Sequence, residues 1–147
     1  MKRFLFIVFV SIISNINLFG QGKMDIDPLM LGPILIDQPN TEKMIDICKA
    51  YHLVEGTVID GFVTYRHSNG TELRFKVDTN SLPHMPVVIV TTEDSKKEIE
   101  RILSNTGYKK ESGLYIKGSK FEHRRTKCKV LGGKPKTLTF EKEYNPF

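Results

Sequence analysis

TVIDGFVTYRHSNGTELRFKVD, residues 57–78, alternates apolar and polar side chains on either side of Ser68-Asn69-Gly70. Period-two alternation around a Gly-containing turn marks a hairpin with one buried face. One strand is expected from about Thr57 to His67 and a second from Thr71 to Asp78. A two-residue Asn-Gly loop would set Tyr65 against Arg74 and Arg66 against Leu73, mixing apolar and charged groups on each face. A three-residue loop, with Gly70 left-handed, sets Tyr65 against Leu73, Val63 against Phe75 and Arg66 against Glu72. A one-residue slip turns every side chain over, and only the second register keeps each face consistent. The three-residue loop is the expected one.

Upstream of the hairpin, Met44, Ile47, Cys48 and Tyr51 recur at helical spacing, with Asn40 or Thr41 placed to cap the start and Pro39 just outside. Residues 23–40 hold Pro28, Pro33 and Pro39 and show no clear period, so they read as an extended lead-in with a short edge strand near Leu35. Downstream, a Pro-rich bend from Ser81 to Pro86 leads into Val87-Val88-Ile89-Val90. This continuous apolar run suits a central strand covered on both faces. Ser95-Lys96-Lys97-Glu98 has the form of a capping box, Ile99, Ile102 and Leu103 form an apolar stripe, and Gly107 can close the helix. Strands are expected at Leu114 to Lys117, Lys120 to Leu131 and Lys136 to Glu143, the last two meeting at Gly132-Gly133-Lys134-Pro135.

A helix and three strands therefore come twice, over residues 41–92 and 93–147. The expected fold is α+β: tandem α-β-β-β units with two helices on one side of a mainly antiparallel sheet. This order resembles the β-lactamase-inhibitor-protein type of fold found in small exported bacterial proteins. Ile36 to Lys49, an apolar piece leading into a helix, is similar to the opening of such a unit, as is Gly107-Tyr108-Lys109-Lys110 feeding a short strand and a Gly turn. The resemblance covers about 110 residues. It implies a binding or inhibitory role and assigns no functional residue.

The N-terminus reads as a secretory signal peptide over residues 1–22, with cleavage near Gly20 or Gly22. Lys2 and Arg3 precede the apolar run Phe4 to Ile13, which is too short to span a bilayer, and Ser14, Asn15 and Asn17 end it. No Cys lies nearby to carry a lipid, so no membrane anchor is expected on the mature form. Removing the signal leaves 20 basic and 17 acidic side chains and a net charge of +3, too little to imply nucleic-acid binding. The charge is unevenly spread: residues 21–94 carry 6 basic and 11 acidic groups, residues 95–147 carry 14 and 6. The two halves can attract each other, within one chain or between chains.

Cys48 and Cys128 form an even pair in a chain headed for an oxidising compartment, which permits one disulfide; both also fall on apolar faces and suit buried thiols. The basic run His123 to Lys129 follows strand period. If Val130 pairs with Leu138 and Cys128 with Phe140, then Lys127 faces Glu141 and Arg125 faces Glu143, ordinary cross-strand compensation. Lys129, Lys134 and Lys136 stay uncompensated as a candidate basic patch. His52, His67, His84 and His123 lie far apart without ligand spacing, and His84-Met85 is a lone pair in a Pro-rich loop. Gly-x-Ser-x-Gly and Gly-rich phosphate loops are lacking. No cofactor or catalytic residue is assigned. The sequence thus points to an exported, non-catalytic module that binds another protein or an envelope component. A small secreted hydrolase with a dispersed site and a periplasmic metal carrier are the alternatives.

Overall fold

The computed structural model describes residues 26–76, 86–119 and 124–144. The signal-peptide assignment, His84, Met85 and His123 lie outside these residues. The described chain is α+β, with a mainly antiparallel eight-stranded sheet and three helices.

The expected extended lead-in is helical instead. Asp27 caps a 3-10 turn at Pro28–Met30 by accepting from the Leu29 N–H at 3.0 Å, and helix α1 follows at Leu31–Ile36. Both prolines sit in first turns, where a missing N–H has no intrahelical partner to lose. Six residues make less than two turns, so a helical period has no room to show in the sequence. The segment is deeply buried: Leu31, Leu35 and Ile36 are each 0% exposed.

Helix α2 spans Thr41–Ala50, and Asn40 is its cap, its side chain accepting from the Lys43 N–H at 2.9 Å. Helix α3 spans Lys96–Asn105, capped by Ser95, which accepts from the Glu98 N–H at 3.1 Å. The reciprocal half of that capping box is not made, because the Glu98 carboxylate pairs with Arg101. Gly107 follows with φ +96°, the left-handed stop expected of it.

The strands are β1 (Val54–Ile59), β2 (Phe62–Arg66), β3 (Glu72–Lys76), β4 (Val87–Thr92), β5 (Lys109–Glu111), β6 (Leu114–Lys117), β7 (Arg124–Leu131) and β8 (Lys136–Tyr144). Their order in the sheet is β1-β2-β3-β4-β8-β7-β6-β5, every neighbour antiparallel. Helices α2 and α3 are thus each followed by four strands where three were expected. The strand read as Thr57 to His67 is two, folded back at Asp60-Gly61 with φ of +52° and +81°. Two consecutive positive-φ residues mark a two-residue hairpin turn of type I′, for which Asp-Gly is a favoured pair. Ser112-Gly113, at +49° and +82°, makes the same turn between β5 and β6.

The quoted hairpin has the expected register: Tyr65 opposes Leu73, Val63 opposes Phe75 and Arg66 opposes Glu72. His67 and Thr71 close the loop, and Gly70 sits at φ +96°. One row of side chains then crosses six strands, Val63–Phe75–Val88–Phe140–Cys128–Tyr115, and a second runs Tyr65–Leu73–Val90–Leu138–Val130. These rows share a single core with Met44, Ile47 and Cys48 of α2 and Ile99, Ile102 and Leu103 of α3. The other sheet face carries Thr64, Arg74, Ile89, Thr139 and Lys129, half-buried or exposed. Strand β4 is therefore central as expected but fully covered on one face only.

Cys48 and Cys128 are both free, buried thiols rather than the disulfide pair that an even count permits. Burial pushes each up to about 12 from an ordinary value of 9.0.

Candidate functional site

The hairpin register decides which side chains leave the core. With Val63, Tyr65, Leu73 and Phe75 turned inward, Thr64, Arg66, Glu72 and Arg74 must emerge on the opposite face. There they line a cup of about 710 Å³ with Val54 and Ile59 of β1, His52 and the His67–Gly70 turn. Strand β1 is an edge strand, bulged between Glu55 and Val58, and all six of its residues are exposed. Its Val54 is 71% and its Ile59 64% exposed, which gives the cup an apolar flank.

Glu72 holds the polar side together. Its Oε2 lies 2.5 Å from Nη2 of Arg66 and its Oε1 3.8 Å from Nε of Arg74. The second distance exceeds a hydrogen bond, and the buried Nε of Arg74 has no hydrogen-bond partner. Two guanidinium groups thus lean on one carboxylate, which serves Arg66 well and Arg74 poorly. Glu55 does not make up the difference, since its carboxylate accepts from the Tyr65 hydroxyl at 3.0 Å.

His52 and His67, 15 positions apart in sequence, both line this cup. His52 follows α2 with φ +59°, and its N–H donates to the Lys49 carbonyl at 3.0 Å. The Nδ1 of His67 accepts from the Asn69 N–H at 3.1 Å, which leaves its Nε2 to carry the proton of the neutral ring. Among the described residues no histidine hydrogen-bonds to a carboxylate, and no group of three or more His, Cys, Asp or Glu side chains could hold a metal. The sequence does not show the two histidines sharing a site, because the two-residue turn at Asp60-Gly61 that folds β1 back beside β2 lies inside an otherwise strand-like stretch.

The lysines read as one basic patch are divided. Lys129 pairs with Thr139 on the face away from the core, and Lys134 lies exposed in the turn between β7 and β8. Lys136 pairs with the buried Thr92 and so projects with the core-side row. It lines a separate hollow of about 320 Å³ with Lys96 and Lys110. Two further cations of β7, Arg125 and Lys127, are compensated. Both pair with Glu143, at 2.7 and 2.8 Å, although Lys127 stands opposite Glu141 in register. Hydrogen bonds from Lys127 and then Arg125 hold the Glu143 carboxyl below its usual range.

The remaining shifted groups are tyrosines. Burial raises Tyr51, Tyr65, Tyr108 and Tyr115, and hydrogen bonds to Glu55 and Glu100 add to it at Tyr65 and Tyr115. No helix among the described residues is long and apolar enough to cross a membrane. Comparison with protein-family models, with curated proteins and with solved structures finds no match.

Proposed function

We propose that this chain is an exported, non-catalytic binding module of the cell envelope, and that it takes its partner in the cup formed by β1, β2 and β3. The supporting observation is the make-up of the cup: an exposed apolar flank at Val54 and Ile59 beside two guanidinium groups that share one carboxylate. An apolar contact surface with a few convergent polar groups suits binding, and Arg is a frequent anchor at interfaces. On this reading the fold is a tandem of two units, each a helix packed on the same side of a four-stranded meander, and the meander faces left uncovered are free to engage a partner. Export rests on the N-terminal charge and apolar pattern of residues 1–22.

The test is retention of the tagged, processed protein's partner from an envelope extract, repeated with Ile59→Asp and Arg74→Glu. A partner lost with both substitutions and kept with Lys129→Gln supports the cup; a partner kept throughout places binding elsewhere. A second reading, a small secreted hydrolase, is favoured by one observation, that His52, His67 and Glu72 line one cup. Turnover of ester or peptide substrates that His67→Gln abolishes, with the fold intact, would select it. The metal-carrier reading is tested by metal analysis of the protein purified without chelators.

A further inference from the structure

Where α3 begins, beside the β5–β6 hairpin and the turn between β7 and β8, three lysines from three elements surround one hollow. Lys96 opens α3, Lys110 lies in β5 and Lys136 opens β8. Among the described residues that line the hollow, Glu100 is the single carboxylate. It accepts from the Tyr115 hydroxyl at 3.1 Å and stands 4.0 Å from the Lys110 ammonium, the outer limit of an ion pair. Lys96 and Lys136 have no ion pair with any described residue. Among the described lining residues, three lysines against one carboxylate leave a formal charge of +2. Such a cluster repels itself, and the fold asks for none of it: Lys96 and Lys136 fill no core position.

We propose that this hollow binds a phosphate monoester carried on an apolar group, an assignment independent of the cup. A phosphate monoester carries about −1.5 to −2 charges at neutral pH, which matches the surplus. Lysine ammoniums act as point charges that can reach a tetrahedral oxyanion from three directions, whereas a planar carboxylate is better served by the fork of Arg. The floor of the hollow supplies the second half of the specificity. Ile99 and Val130 line it beside the Tyr115 ring, so the group bearing the phosphate is apolar. A volume of about 320 Å³ holds a headgroup or a small ligand and no more.

The experiment is titration of the full chain, followed by calorimetry and by amide shifts at Gly113 and Gly132, with inorganic phosphate and with phenyl phosphate at low salt. Phenyl phosphate is expected to bind about tenfold tighter, the apolar floor accounting for the difference. Lys96→Gln and Lys136→Gln should each weaken it about fivefold or more, while Lys129→Gln, which removes the same charge from the other sheet face, should leave it unchanged. Vesicles of phosphatidylcholine with and without phosphatidic acid separate the two sources of this chemistry: sedimentation with the acidic vesicles assigns a lipid headgroup, and phenyl phosphate binding without it assigns a free phosphate ester. Absence of binding by every probe, or equal weakening by all three substitutions, overturns the proposal.

Discussion

Gly32 lies against the ring of Phe140: a Cβ on Gly32 would fall 2.6 Å from Cε2 of that ring and 2.9 Å from Cγ2 of Val90. The α1 backbone thus rests on the centre of the sheet, where β4 and β8 meet, and it can do so only because residue 32 has no side chain. Phe140 cannot yield, being fully buried and held edge-on to Tyr108 with ring centroids 5.8 Å apart. Gly32→Ala is therefore expected to destabilise the fold by about 1–3 kcal/mol through overpacking, despite alanine's better helix propensity. Urea denaturation checks this, with Gly132→Ala, at a site with nothing within 4 Å, as the neutral reference.

Removing the ring has the opposite geometry and a larger cost. Phe140→Ala leaves a cavity beneath α1 that the surrounding β4, β7 and α1 side chains fill only in part. A loss of about 3–5 kcal/mol is expected. Phe140→Leu should recover part of it, and a Leu variant no more stable than the Ala variant would show that the Tyr108 contact, not volume, carries the energy.

Asp37, just past the end of α1, receives Lys117 of β6 at 3.0 Å and Lys142 of β8 at 2.5 Å. Lys142 also donates to the Thr126 hydroxyl. These contacts tie the lead-in helix to strands far along the chain, but Asp37 is partly exposed, so their worth is limited by solvent. Asp37→Asn should cost about 1 kcal/mol at low salt and less at high salt, read as a shift in thermal midpoint. A salt-independent effect would point to the helix end rather than to the ion pairs.

The two thiols make the fold sensitive to alkali. Below pH 9.0 both are protonated in the folded and the unfolded chain, and the stability associated with their burial is fully present. Between 9.0 and about 12 the unfolded chain releases protons that the native state keeps, so stability falls as pH rises through that window. The raised tyrosines Tyr65 and Tyr108 act in the same direction. The pair Cys48→Ala and Cys128→Ala should give a shallower decline of the urea midpoint with pH. In the native wild type neither thiol should react with an aromatic disulfide reagent at neutral pH, and both should react once unfolded.

Acid should act through Glu143. Lys127 and Arg125 lower its pKa in the native state, so the stability it lends is present above the ordinary carboxylate value of 4.5 and fades as pH falls through the lowered one. Glu143→Gln is expected to cost about 0.5–1 kcal/mol at neutral pH and to flatten the acid limb of the stability profile. An unchanged limb would show that the cross-strand trio contributes nothing measurable.

Much of the sheet could be read directly from residue patterns because the β2–β3 and β7–β8 hairpins each bury one face. The register of β2 with β3, and of β7 with β8 through Val130–Leu138 and Cys128–Phe140, follows from keeping apolar groups together. What escaped that reasoning was short. The turns at Asp60-Gly61 and Ser112-Gly113 need two residues each, and β1, exposed on both faces, has no alternation to display. The candidate sites were legible only in part for the same reason. Arg66, Glu72 and Arg74 could be placed on one face by counting, whereas the approach of His52 depends on the unforeseen turn. Lys96 and Lys110 meet Lys136 through tertiary packing, which no local pattern records.

The strand order also has a consequence for how quickly the chain finds its shape. Strands β1 to β4 each bond to their neighbour in sequence, and so do β5 to β8; among the described strands only β4 against β8 joins distant segments, separated by roughly 50 residues. Local meanders close small loops and form early at low entropic cost, while the central seam must wait for a diffusive encounter between halves. The seam is then the step on which the folding rate turns, and α1, seated across it by Gly32, is in position to fasten it once made.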